Sequence, residues 1–138
     1  MTHSLFGRYT NLIRFVSNWQ AHFKQKRNKQ YMPMDITTRG NKIIFSVPTW
    51  SLYMVFKEIF MSDFYRIRKL VSLLPENPVI VDIGGNAGYF NMMLFSQLNT
   101  ASVFAYEPIF ENYKLFQDNV SRNSIMTGKV NVFNMAVT

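Results

Sequence analysis

No stretch limits the possible folds of this 138-residue chain as tightly as residues 79–90, Val-Ile-Val-Asp-Ile-Gly-Gly-Asn-Ala-Gly-Tyr-Phe. Val79–Ile83 reads as a buried strand. It runs into glycines at 84, 85 and 88, and a helical pattern follows over 87–98. Strand, tight glycine turn and helix, in that order, form the context in which a glycine motif binds a ligand rather than merely turning the chain. The alternation then repeats. Residues 102–106 read as a strand, and 110–123 as a helix with Tyr113, Phe116 and Val120 on one face. Residues 130–134 read as a third strand. Strands alternating with helices of this length predict βαβ units and a parallel sheet, hence an α/β fold.

The glycine spacing narrows the ligand. A dinucleotide fingerprint needs G-x-G-x-x-G. From Gly84 the third and sixth positions are Asn86 and Tyr89; from Gly85 they are Ala87 and Phe90, so both registers fail. A phosphate-binding Walker loop fails as well, because no Gly-Lys-Ser/Thr follows. What remains is D-x-G-x-N-x-G, from Asp82 to Gly88. Its glycines allow close backbone approach to a ligand, and its strand-end carboxylate suits a cationic or hydroxyl-bearing one. The second strand ends in Tyr106-Glu107-Pro108, with Glu107 19 residues beyond Gly88. In a doubly wound sheet an acid at that place accepts hydrogen bonds from ribose hydroxyls. Gly84-Gly85 alone would be an ordinary tight turn, and Glu107 alone a solvated loop acid; their order along the chain favours a cofactor site.

Upstream, Leu5, Tyr9, Leu12, Val16, Trp19 and Phe23 recur every three or four residues, widened by Phe6 and Ile13. This predicts an amphipathic helix over 4–27 that runs into the basic cluster 24–29. Residues 34–48 read as a β-hairpin turning at Arg39-Gly40-Asn41. Helical patterns follow at 51–60 and 63–74, the second with Asp63 as its N-cap, and Pro75–Pro78 is a turn. The organisation expected is a basic N-terminal helix over 1–33 and a partial α/β domain over 34–138, made of hairpin and helices to 76 and βαβαβ from 77.

The net charge of +7 is uneven. Residues 1–42 hold eight Lys/Arg and one acid, Asp35, whereas residues 43–138 hold seven of each sign. The basicity therefore belongs to the N-terminal segment. Either that helix docks on its own domain with a solvated basic end, or it makes a peripheral contact with an anionic membrane surface or a partner. Nucleic acid is not expected, since the cluster has no interleaved aromatics and no reading motif. The absence of cysteine excludes disulfides, thiolate metal sites and a cysteine nucleophile. His3 and His22 have no ligating neighbours and are expected at the surface; no metal is expected. No run approaches a membrane span or a signal-peptide core, which fits a cytoplasmic protein.

Taken together, VDIGGNAGYF, FAYEPIFENYKLFQDNVSRN and VNVFNMAVT resemble the FkbM family of S-adenosylmethionine-dependent methyltransferases. The family pattern is D-x-G-x-N-x-G-x-[FY], E-P, N-x-x-x-[LF] and N-x-A. It falls here on Asp82, Gly84, Asn86, Gly88 and Phe90; Glu107 and Pro108; Asn112 and Phe116; and Asn134 and Ala136. Glu58-Ile59-Phe60 with Tyr65 is similar to the segment preceding the loop. The resemblance covers about residues 43–138; residues 1–30 lie outside it. It implies a class I methyltransferase fold with a Rossmann-like parallel sheet. It also implies S-adenosylmethionine with its methionine part at Asp82–Gly88, including Gly85, and Tyr89 at its border. The ribose would lie on Glu107, and the adenine near Glu107–Ile109, Pro108 and the third-strand end at Asn134. The acceptor implied is a hydroxyl of a sugar, polysaccharide precursor or other natural product.

Three strands are fewer than the seven of that fold. The expectation is thus an incomplete sheet whose first strand, normally central, has a free apolar edge, as in a truncated or split protein. No general base can be assigned; Asp63, Tyr65 and Tyr89 are placed to approach the site. The alternatives are a non-catalytic cofactor-binding or interaction module, and a nicotinamide dehydrogenase, which the failed fingerprint disfavours.

Overall fold

The computed structural model describes residues 4–138; His3 lies outside them. Helix α1 (Leu5–Phe15) starts where the Ser4 hydroxyl accepts the Gly7 N–H at 3.2 Å, and it buries Leu12 and Phe15. The single helix expected over 4–27 is broken. Val16 is extended and forms a β-bridge with Thr38. The Ser17 N–H donates to the Thr37 carbonyl at 2.8 Å, and the Asn18 side chain donates to the Asp35 carbonyl and accepts from the Thr37 N–H. A β-branched residue next to the open edge of a hairpin strand finds more partners in that pairing than in another helical turn, so tertiary contact overrides the periodicity. Helix α2 (Gln20–Arg27) then resumes. His22, expected at the surface, is 3% exposed, with Nδ1 2.7 Å from the Tyr53 hydroxyl.

Strands β1 (Met34–Thr37) and β2 (Ile44–Val47) form the expected antiparallel hairpin, with Met34 opposite Val47. Its turn needs glycine: Gly40 has φ +74°, and a Cβ there would strike the Ser96 carbonyl. Helix α3 (Trp50–Phe56), capped by Thr49, continues into a π-helical turn at Lys57–Met61. Helix α4 (Ile67–Leu73) starts four residues later than expected. Asp63 and Arg66 both take positive φ, and the Asp63 carboxylate caps the helix from a distance by accepting the Ile67 N–H at 2.9 Å.

The second half matches the expected alternation: β3 (Val79–Ile83), α5 (Tyr89–Gln97), β4 (Ser102–Tyr106), α6 (Phe110–Ser121) and β5 (Val130–Phe133). The strands are parallel in the order β3-β4-β5. This is an α/β fold with a Rossmann-like three-stranded sheet, preceded by helices and a hairpin. One sheet face is packed, with Val103 and Ala105 fully buried. The other is bare, and this corrects the reading of Val79–Ile83 as a buried strand: Val79, Val81 and Ile83 are 70, 62 and 64% exposed. Successive right-handed crossovers carry both helices to the same side of the sheet, which leaves the opposite side uncovered. Among the described residues, strand β3 is also paired only on its β4 side.

Buried asparagines join the two sheets. Asn119 on α6 accepts the Ser46 N–H at 2.9 Å and donates to the Ala87 carbonyl at 3.1 Å. Asn123 accepts the Ile44 N–H and donates to the Ile44 carbonyl, both at 2.8 Å. Helix α6 thus takes the place of a neighbouring strand along β2. The Asp35–Arg122 ion pair at 2.7 Å adds a surface contact of small energetic weight between hairpin and helix.

Candidate functional site

The C-terminal ends of β3, β4 and β5 bring together Asp82, Gly84, Gly85, Asn86, Gly88, Glu107, Pro108 and Asn134. The turn from β3 to α5 contains three residues of positive φ: Gly84 (+77°), Asn86 (+51°) and Gly88 (+82°). Both the Gly84 and Gly85 N–H groups donate to the Tyr106 carbonyl, at 2.8 and 3.0 Å. The three glycines serve different purposes. A Cβ on Gly88 would overlap the Phe116 ring, and one on Gly85 would lie 2.8 Å from it. Both positions let α6 pack against the turn. Around Gly84 there is nothing within 4 Å of a Cβ position, so that position is open for a ligand to approach the backbone.

Glu107 is 4% exposed and clips the loop. One carboxylate oxygen accepts the Asn86 N–H and the other the Ile109 N–H, each at 2.8 Å. A carboxylate oxygen takes more than one donor, so the same oxygens remain able to accept hydroxyls. The Asn134 side chain donates to the Glu107 and Pro108 carbonyls at 3.0 and 3.1 Å, tying the end of β5 to the end of β4. Asp82 accepts the Asn91 side-chain N–H at 2.6 Å. Burial pushes the Asp82 pKa up, the Asn91 hydrogen bond opposes this, and the nearby Glu107 charge adds to the rise. The Asn91 carbonyl oxygen is buried without a partner.

Two desolvated carboxylates and a spare acceptor make a place for a cation that also carries hydroxyls. S-adenosylmethionine fits that donor set: its sulfonium and ammonium groups are cationic and its ribose supplies hydroxyls. Among the described residues no group of three or more His, Asp or Glu is arranged to hold a metal.

The side chain of Tyr89 is not part of this assembly. It is 1% exposed, its hydroxyl donates to the Ser46 carbonyl at 2.7 Å, and its ring lies 5.0 Å from that of Phe45. Burial pushes its pKa upward, so it is a structural phenol. Asp63 is occupied in capping α4. Tyr65 is different: its ring packs 4.7 Å from Phe90, and its pKa is raised by burial and then by the Asp82 and Glu58 charges. Asn91 and Asn119 were not singled out from sequence. Beside the loop lies a cavity of about 390 Å³, whose lining includes Thr49, Ser51, Asn86 and Asn112.

A solved structure titled as an S-adenosylmethionine-dependent methyltransferase, from Agrobacterium tumefaciens, superposes on this chain with a TM-score of 0.56. The match covers 80% of this chain and 34% of that one, at 9% identity. The likeness is one of fold, between this chain and about a third of that structure. In sequence, 74 residues are 34% identical to the methyltransferase sdnD of Sordaria araneosa, covering 54% of this chain and 27% of that protein. A further 32% identity over 68 residues relates 49% of the chain to 3% of the antimetabolite synthetase AmbE of Pseudomonas aeruginosa. The chain thus spans about a quarter or less of the curated relatives it matches. No family model matches it.

Proposed function

We propose that this chain forms the cofactor-binding region of an S-adenosylmethionine-dependent methyltransferase of the FkbM type. The reaction proposed is O-methylation of a sugar, polysaccharide precursor or other natural product. The observation that carries the reading is the loop of three positive-φ residues held over a buried Glu107, beside a desolvated Asp82 and an open Gly84. Similarity to part of a methyltransferase supports methyl transfer, and similarity to a short part of an antimetabolite synthetase supports a natural-product acceptor.

In this reading Asp82 and the Asn91 carbonyl bind the positive end of the methionine moiety, Glu107 takes the ribose hydroxyls, and the backbone at Gly84 gives the cofactor room. When bound, the cofactor supplies an already activated methyl group. What the protein must add is position, alignment and a route for the hydroxyl proton. Tyr65 stays protonated at neutral pH and can donate a hydrogen bond toward the acceptor side; no residue here is assigned as the base. A protein that holds the cofactor without turnover is the alternative, and it keeps the same site.

Calorimetric titration of S-adenosylmethionine, with NAD as control, tests the reading. Binding of S-adenosylmethionine alone is expected. Equal binding of NAD, or no binding to a folded chain, would overturn it.

A further inference from the structure

A second and larger cavity, of about 720 Å³, lies on the far side of α3, between that helix, α1, α2 and the segment that follows α2. Its size is that of a small-molecule site. Four cations line it, Arg8, Lys26, Lys29 and Lys57, and no carboxylate does. Nor can its own segment supply one: Asp35 is the only acid among residues 1–42, and it is paired with Arg122.

Two of the cations, Lys26 and Lys57, rest on aromatic rings instead. Lys57 Nζ lies 5.3 Å from the centre of the Tyr53 ring and 5.9 Å from that of Trp50. Lys26 Nζ lies 5.5 Å from that of Tyr9 and donates to its hydroxyl at 2.8 Å. Such contacts hold a cation in place without neutralising it. Among the described residues, two nitrogens of the lining, Arg8 Nε and His22 Nε2, are buried without a hydrogen-bond partner, and His22 Nε2 is a donor in the tautomer whose Nδ1 accepts the Tyr53 hydroxyl. An unmatched buried donor is costly, and two beside one cavity point to a shared acceptor. The electrostatics agree. The His22 pKa is lowered to about 4 by burial and then by Lys26, Lys57 and Arg8, and that of Lys57 is lowered by burial and then by Arg8 and Lys26. An anion in the cavity would relieve each of these repulsions.

We propose that this cavity binds a phosphate-bearing ligand, with its phosphate on Arg8, His22 and Lys57 and its planar or apolar part against Tyr31, Trp50 and Tyr53. A phosphate matches four cations better than a carboxylate does, since it brings up to two charges and three acceptor oxygens. Its source is either a soluble phosphate ester or a lipid headgroup. Leu5, Phe6, Trp50 and Met54 are exposed apolar residues on the same helices, which gives the second source a physical basis. The inference does not rest on the methyltransferase reading, because no residue of the glycine loop lines this cavity.

The test uses the full chain and its tryptophan fluorescence, from Trp50 at the cavity and Trp19 on the neighbouring turn, with phenyl phosphate as the soluble probe and phenylacetate as the carboxylate control. A second arm uses phosphatidylcholine vesicles with and without phosphatidic acid. The expected result is binding of phenyl phosphate, or of phosphatidic acid vesicles only, weakened about tenfold or more by Lys57→Met and by Arg8→Met. Should Arg8→Met fail to fold, Lys57→Met carries the comparison. Three results would overturn the proposal: no response to either probe, equal binding of phenylacetate, or binding unchanged in the variants.

Discussion

The site at the strand ends and the cavity between the N-terminal helices are opposite in character. The one at the strand ends is governed by acids and by backbone: Asp82 and Glu107 with a spare Asn91 oxygen, on a loop held by its own hydrogen bonds. The one between the N-terminal helices is governed by cations and rings, and its spare groups are donors. Each lacks the charge that the other has in excess. An unmet acceptor asks for a cation and an unmet donor for an anion, so the polarity of what a site leaves unsatisfied indicates its ligand better than its size does.

The largest effect that separates the two regions should come from the loop glycines. Gly88→Ala combines a positive φ with a clash against the buried Phe116 ring, and should cost roughly 3 kcal/mol in urea unfolding. Gly84→Ala has the same kind of φ but open space, and should cost only about 1 kcal/mol. Equal costs would show that Phe116 does not set the shape of the loop.

Next in size is Asn119→Leu. It leaves the Ser46 N–H and the Ala87 carbonyl unmatched and should lose about 2–3 kcal/mol. A loss below about 0.5 kcal/mol would mean that α6 does not anchor the loop to the hairpin.

Glu107→Gln should weaken S-adenosylmethionine by about tenfold in calorimetry, because an amide nitrogen would then face one of the two backbone N–H groups the carboxylate now accepts. Phenyl phosphate binding should not change in the same variant. If both ligands weakened together, the cavities could not be treated as separate.

A further contrast is in pH dependence, where the two regions pull in opposite directions. The folded pKa of His22, about 4, lies below its ordinary 6.5, so its contribution to stability is complete above 6.5 and is lost as pH falls from 6.5 toward 4. For Asp82 the folded pKa is raised, so the folded state holds its proton more readily, and this group favours folding as pH falls toward 3.8. In denaturation measured against pH, His22→Gln should flatten the acid-side loss and Asp82→Asn should steepen it. Unchanged profiles in both variants would refute the burial argument for these groups.

The loop region was largely legible in the sequence because its elements are local. Val79–Ile83 and Ser102–Tyr106 are bounded by turns and begin and end where the pattern places them. Glu107 is close to the loop in space because a parallel sheet aligns the ends of neighbouring strands. The roles of Asn91 and Asn119 were not legible, since an asparagine on a helix looks alike whether it faces water or a buried carbonyl. The N-terminal region was misread for a related reason. Leu5 to Phe23 keep a helical period across a break made by Val16 pairing with Thr38, 22 positions away. His22 looked isolated because its partner, Tyr53, is 31 positions away in sequence. The bare face of β3 was hidden by its composition: Val79, Val81 and Ile83 are as apolar as any buried strand, but only one face of the sheet is covered.

The central claim is that the turn between β3 and α5, and not the basic cavity, is where S-adenosylmethionine binds. Amide chemical-shift mapping of the labelled chain, titrated with S-adenosylmethionine, addresses it in one experiment. The account predicts shifts at Gly84, Asn86 and Gly88 and at Glu107, with Arg8, His22 and Tyr53 unmoved. Shifts confined to Arg8, His22 and Tyr53, or none in a folded chain, would contradict it.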